Sequence, residues 1–102
     1  MRISFSFVPP GGGKVVYRIE ADLPSIPRAG DHVSIWDAEA GGTRTFVIRR
    51  TGWKLRGLKD AKTEFQRIAV EAEFALNEDI DCEDHKEACA KYGAKPIEAI
   101  MD

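Results

Sequence analysis

The sequence has few of the features that identify a function directly. It contains only two cysteines, which are too few for the disulfide framework of a secreted domain. No apolar stretch approaches the ~18–20 residues that cross a bilayer. The first eight residues alternate serine with phenylalanine and lack the continuous apolar run of a signal peptide. We therefore expect a cytoplasmic protein that makes no membrane contact and forms a single domain over residues 1–102.

Catalytic motifs are equally scarce. The run Gly11-Gly12-Gly13-Lys14 leads into a strand pattern, whereas a phosphate-binding loop ends in Lys-Ser or Lys-Thr and opens a helix. No serine or cysteine is placed beside His32 by the sequence. Glu71 and Glu73 are interpreted as a solvated acidic face, because acid–base catalysis needs carboxylates in differing environments. We expect a non-enzymatic protein with no catalytic residue, no cofactor and no metal.

Alternating apolar residues predict the first two strands. Ile3, Phe5 and Phe7 are separated by polar residues, which is the period-two pattern of a strand with one buried face. The prolines and glycines of 9–13 end this strand because proline cannot donate to a ladder and glycine favours turns. The alternation resumes over 14–22, so we predict an antiparallel hairpin with a loop of five or six residues.

Two further strands are predicted in the middle of the chain, at about 32–37 and 43–51. Gly52 is expected to mark a bulge or the end of the second strand. Residues 54–62 are predicted to form a basic loop. The segment that precedes the third predicted strand resembles the turn-and-strand pattern of many SH3-like small barrels; its sequence is Pro27-Arg28-Ala29-Gly30-Asp31-His32-Val33. This resemblance covers about a third of the chain and implies a fold, not a function.

Residues 65–76 fit two structures. A helix leaves Val70 and Phe74 off its apolar face, whereas a strand places both inside. Burying one such side chain stabilises a protein by roughly 1.5–3 kcal/mol, which exceeds the propensity difference summed over a few residues. The sequence therefore favours a fifth strand here and leaves the helix as the alternative.

The clearest helix pattern begins near Asp81, the expected N-cap, and ends at Gly93. Cys82, His85 and Cys89 fall on one face of this helix. Thiolate and imidazole are zinc ligands, so a metal site is one interpretation. We favour burial of both cysteines against the sheet, because a closely paired ligand knuckle is absent and cysteine is among the most buried residue types.

These elements predict a mostly β fold of the α+β type. About five strands over residues 1–76 form a small antiparallel barrel or strongly curved sheet, and one C-terminal helix follows at about 81–93. The expected core comprises Ile3, Phe5, Phe7, Tyr17, Ile19, Val33, Ile35, Phe46, Ile48, Ile68, Val70 and Phe74.

The net charge of −2 hides a strong asymmetry. Residues 1–70 carry a net charge of +5 and residues 71–102 a net charge of −7. The segment 44–62 holds seven Lys or Arg residues and one acid, Asp60. Such a basic segment suits phosphate contacts, and a tryptophan suits stacking on bases. The candidate polyanion or nucleic-acid site comprises Arg49, Arg50, Trp53, Lys54, Arg56 and Lys59.

Two classes of function therefore stay open. The first is a non-enzymatic binding or assembly module that contacts a protein partner or a second copy of itself through an edge strand and its charged surfaces. The alternative is a small barrel that binds nucleic acid or another polyanion through the basic segment 44–62. We favour the first, because the same cations have the acidic region 71–87 as a counterpart in the same chain or in a neighbouring subunit.

Overall fold

The computed structural model describes residues 1–39, 41–77 and 81–94. Most of them are in strands, and one helix lies near the C-terminus, so the mostly β prediction is confirmed. The segment that fitted either a helix or a strand is a strand. The elements are β1 (Arg2–Val8), β2 (Tyr17–Asp22), β3 (His32–Asp37), β4 (Gly42–Gly57), a 3₁₀ turn (Lys59–Ala61), β5 (Thr63–Ala75) and α1 (Glu83–Tyr92).

The strands form one curled sheet, a half-barrel with the order β2-β1-β5-β4-β3. The β1–β2 hairpin is antiparallel as predicted, although its connection runs from residue 9 to residue 16 and is longer than expected. The β3–β4 and β4–β5 pairs are also antiparallel. Among the strands of the described residues, β1 and β5 alone form a parallel pair, with Ile3 opposite Ile68. The sheet is thus mixed, since one of its four strand pairs is parallel and three are antiparallel.

The core lies on the concave face of the sheet. Phe46 is fully buried, and its ring centroid lies 4.0 Å from that of Phe7 and 5.4 Å from that of Phe74. Cys89 of α1 joins the same cluster. Of the twelve predicted core residues, eight are buried and the other four pack against the cluster from the outer strands. Those four are Tyr17, Ile19, Val33 and Ile35.

The expected basic loop at 54–62 is wrong, because β4 continues through Gly57 and only a short turn separates it from β5. The period-two pattern persists past the last buried residue of β4, but basic side chains obscure it. Gly52 marks neither a bulge nor the strand end, since it lies within β4 opposite Ala69. The first register shift in β4 is at Arg49.

Helix α1 begins one residue later than predicted. Cys82, not Asp81, is the N-cap, and its Sγ accepts a hydrogen bond from the backbone N–H of His85. The Asp81 carboxylate is occupied elsewhere, because it accepts hydrogen bonds from the Thr45 hydroxyl and the Asn77 backbone N–H. Gly93 ends the helix in the left-handed conformation, as predicted. Within the described residues, no helix is long and apolar enough to span a membrane.

Candidate binding surface

Strands β4 and β5 extend well beyond their neighbours. β3 pairs with β4 only up to Val47, and β1 pairs with β5 only from Ile68 onward. Within the described residues, the remaining ends pair only with each other and form a two-stranded ribbon, here called the arm (residues 53–67). The arm contributes to the elongated shape of the molecule, which measures 52 × 28 × 28 Å.

The turn of the arm has a defined backbone. Asp60 and Ala61 both adopt positive φ angles, 63° and 59°. The Leu58 N–H donates to the Lys62 carbonyl oxygen at 2.8 Å and closes the turn. Non-glycine residues rarely occupy this backbone region, and consecutive ones are less common still. The two strands therefore meet in a short turn whose residues are all exposed.

Large apolar side chains line the arm. Trp53 is 61% exposed and Phe65 is 54% exposed, and their rings meet edge to face with centroids 5.9 Å apart. Leu55 pairs directly with Phe65, and Leu58 is exposed at the tip. Trp53 pairs with the core residue Ile68, and paired residues of antiparallel strands project from the same face. The arm thus continues the apolar face of the sheet into solvent.

Cations surround these apolar residues. Arg56 lies 3.6 Å from the Glu64 carboxylate across the arm. Lys54 and Arg67 face each other at a paired position, where like charges are unfavourable. Among the described residues, Lys54, Lys59, Lys62 and Arg67 have no carboxylate within ion-pair distance. Four cations on the arm are therefore available to an external partner.

The two arginines that precede the arm are held inside the protein's own ion pairs. Arg49 donates to Glu71 at 3.0 Å and to Glu73 at 3.1 Å, and Arg50 Nε lies 3.3 Å from Glu71. Arg49 is the extra residue of the register shift, and a bulge re-aims the side chains beside it. Hydrogen bonds to Glu73 and Glu71 raise the pKa of Arg49. Glu71 and Glu73 are thus ion-pair partners and not the freely solvated face that the sequence predicts.

The glycine loop packs against the same ion pair. The Gly11 N–H donates to the Glu73 carboxylate at 3.0 Å. Gly12 has a φ angle of +99°, and a Cβ at this position would come within 3.1 Å of the Arg49 guanidinium. A side chain there would require the Arg49 guanidinium to shift by a few tenths of an ångström. The glycine loop therefore lies against the Arg49 ion pair and donates one backbone hydrogen bond to it.

A second polar cluster is buried beneath α1. His85 Nε2 lies 2.6 Å from the Ala75 carbonyl oxygen, and Cys89 Sγ donates to the same oxygen at 3.3 Å. The imidazole packs between the rings of Phe46 and Phe74. Burial raises the pKa of the Cys89 thiol to about 11, with Asp81 adding to the shift. A thiol of this kind is a poor nucleophile.

The cluster under α1 therefore has the character of a packed interior. Cys82 and Cys89 are both free and buried, as the preferred interpretation of the sequence predicts. His85 joins them on the buried face. Within the described part of the chain, no group of three or more His, Cys, Asp or Glu side chains is arranged to hold a metal ion.

The two tryptophans are both on the surface. Trp36 on β3 is 74% exposed and lies outside the arm, whereas Trp53 belongs to it. Trp53 also borders an open groove of about 640 Å³, whose other wall is Met1 and the proline-containing segment 24–29. The structure brings Trp53, Lys54, Arg56 and Lys59 together on the arm and places Arg49 and Arg50 at its base.

Sequence reasoning missed the apolar members of this surface. Leu55 and Phe65 complete it, and Arg67 adds a cation. The available signal was the alternation of Trp53 and Leu55 with basic residues, which continues the pattern of β4. Comparison with protein-family models, curated proteins and solved structures finds no match for this chain.

Proposed function

We propose that this chain is a non-enzymatic binding or assembly module that contacts a protein partner through its arm. One observation carries the proposal: of the seven large apolar side chains exposed in the described chain, four lie on the arm. An apolar cluster of this kind, rimmed by polar groups, is typical of a protein contact surface. The four residues are Trp53, Leu55, Leu58 and Phe65.

The backbone of the arm supports the same conclusion. In the described part of the chain, the outer edges of 53–57 and 63–67 pair with no third strand. An unpaired strand edge offers main-chain donors and acceptors to an added strand, while neighbouring side chains supply specificity. A two-stranded ribbon is only marginally stable by itself in water. Contact with a partner would stabilise the arm and cover its apolar residues.

Site-specific photocrosslinking tests this proposal. Leu55→p-benzoylphenylalanine places the probe on the arm, and the same replacement of Trp36 places it on a more exposed residue outside the arm. We expect a discrete adduct from position 55 alone, with the crosslink mapped to one surface of the partner. Trp53→Ser should abolish the adduct. Equal labelling from both positions, or none from position 55, would overturn the proposal.

A second candidate function is the binding of nucleic acid or another polyanion by the same arm. The observation that favours it is the position of Lys54, Lys59, Lys62 and Arg67, which have no ion-pair partner in the described residues, around two exposed aromatic rings. Lysine and arginine neutralise phosphates, and Trp53 and Phe65 offer stacking surfaces. Titration of the tryptophan fluorescence with oligonucleotides at low and physiological salt separates this candidate from the first.

We place this function in the cytoplasm, on the composition of the sequence alone. Two free, buried cysteines are compatible with a reducing compartment. Fractionation of the producing cells, followed by detection of the untagged chain, tests the location.

A further inference from the structure

The basic arm and the acidic residues around α1 lie at opposite ends of strand β5. The arm carries five Lys or Arg residues against two acids, Asp60 and Glu64. At the other end of β5, the Ala75 carbonyl oxygen contacts His85 of α1. β5 has 13 residues, which span about 40 Å at ~3.3 Å per residue. The arm and α1 therefore occupy opposite ends of the protein.

The end that carries α1 is acidic on its surface. Glu83, Asp84 and Glu87 are exposed on the helix, and Glu39 is exposed in the β3–β4 turn. Asp37, just before that turn, pairs with Gly42, which lies against Cys82 at the start of α1. Glu83 has one ion-pair contact, with Lys86 at 3.8 Å. α1 also carries Lys86 and the exposed Lys91, so the four exposed acids at this end outnumber its lysines by two and leave it negatively charged.

We propose that the partner of the arm is a second copy of this chain, an inference that rests on the proposed function. The two copies are antiparallel, so that each arm lies along α1 of the other copy. Charge complementarity supports this occupant, because an antiparallel pair places the basic end of each copy against the acidic end of the other. Pairing of two arms by their edges would bring like charges together, which is unfavourable. A two-fold axis also closes the assembly at two copies.

Charge reversal provides the decisive experiment. Lys54→Glu with Lys59→Glu reverses the arm, and Glu83→Lys with Glu87→Lys reverses the helix. In the antiparallel dimer, either double variant places like charges at both of its contacts. A mixture of the two variants restores opposite charges at both contacts of the mixed dimer. Lys14→Glu and Asp22→Lys are matched controls, because both positions are exposed and lie outside the arm and α1.

Sedimentation velocity of the purified full chain at 1–200 µM measures the result. We expect the 11.3-kDa monomer to convert to a dimer as concentration rises. Each double variant should associate at least tenfold more weakly than the wild type. The wild type should also associate at least tenfold more weakly at higher salt. The mixture should recover wild-type association, and the two controls should match wild type. A circular dichroism spectrum of each variant verifies that it is folded.

Three outcomes would overturn the second-copy proposal: a monomer at every concentration, a dimer that the reversals do not weaken, or species that grow beyond the dimer. The photocrosslinking result separates this failure from failure of the proposed function. An adduct from position 55 with the mass of two chains supports both proposals. An adduct with a different protein retains the proposed function and rejects the second copy, whereas a polyanion complex without any protein adduct rejects both.

Discussion

Phe65 meets the indole of Trp53 edge to face with ring centroids 5.9 Å apart, yet both rings are more than half exposed. Phe46 makes a contact of the same kind with Phe74 at 5.4 Å and is fully buried. The two phenylalanines thus have similar aromatic contacts in opposite environments. This difference separates residues that stabilise the fold from residues that are available to a partner.

Phe46→Ala is expected to lower the free energy of unfolding by about 3–5 kcal/mol, because it removes a buried ring and leaves a cavity. Phe65→Ala should lower it by at most about 1 kcal/mol, since the side chain stays largely in water and loses mainly its contact with Trp53. Urea titration followed by far-ultraviolet circular dichroism measures both. A loss below about 1 kcal/mol for Phe46→Ala would contradict the described register.

The core could be predicted from the sequence because it depends on local alternation. Ile3, Phe5 and Phe7 on β1 show the period-two pattern within a single strand. The choice of strand over helix for β5 followed from where Val70 and Phe74 would lie, and both are buried. These inferences use only residues close in sequence and the large free energy of burying apolar side chains.

The arm could not be predicted because its length depends on tertiary pairing. The basic charge of residues 54–62 suggested a loop. In the structure β5 begins at Thr63, which pairs with Gly57 of β4. Nothing local shows that β1 and β3 stop short of this region. The bulge that directs Arg49 to two glutamates is likewise a property of the β4–β5 register. The parallel β1–β5 pair joins residues more than 60 positions apart, and no local pattern specifies such a pairing.

The hydrogen bonds of the cluster under α1 predict which ring nitrogen of His85 carries the proton. Its Nε2 lies 2.6 Å from the Ala75 carbonyl oxygen and 3.4 Å from the Thr45 backbone nitrogen. Only an Nε2–H donor satisfies the shorter contact, since a carbonyl oxygen can only accept. Nδ1 is buried and has no partner in the described residues. We therefore expect the tautomer of His85 that carries its proton on Nε2.

Long-range ¹H–¹⁵N correlation spectra of the imidazole rings distinguish the two tautomers. His32 is exposed at the start of β3 and serves as the internal control, because solvent imposes no single hydrogen bond on its ring. We expect one dominant tautomer for His85 and averaged signals for His32. An Nδ1–H pattern at His85 would show that its ring is oriented differently.

The ion pairs of Arg49 predict that residues of the candidate polyanion site differ in how much they contribute to binding. If the arm binds oligonucleotides, Lys54→Gln should weaken binding several-fold, because Lys54 has no ion pair in the described residues and is free to contact phosphate. Arg49→Gln should have a smaller effect, since its guanidinium is shared by Glu71 and Glu73. Fluorescence titrations at two salt concentrations measure both variants. The opposite ranking would place the polyanion at the base of the arm.

Stability at high pH depends on the Cys89 thiol. Its side chain is 1% exposed and donates a hydrogen bond to the Ala75 carbonyl oxygen, which a thiolate cannot do. Burial raises the pKa of this thiol from about 9 to about 11 in the folded protein. Above pH 9 the unfolded chain loses this proton while the folded chain retains it, so unfolding becomes more favourable. The contribution of the protonated Cys89 thiol to the free energy of unfolding is complete below pH 9 and is lost between about pH 9 and pH 11.

We expect this loss to be on the order of 2 kcal/mol in urea titrations at pH 8, 9, 10 and 11. Cys89→Ala removes the titrating group, so its stability should fall less than that of the wild type over the same range. Tyr17→Phe is the necessary control, because burial also raises the pKa of the Tyr17 phenol and gives a loss of the same sign at higher pH. Parallel pH profiles for wild type and Cys89→Ala would mean that the thiol titrates at its ordinary value, and that α1 does not pack against β5 as described.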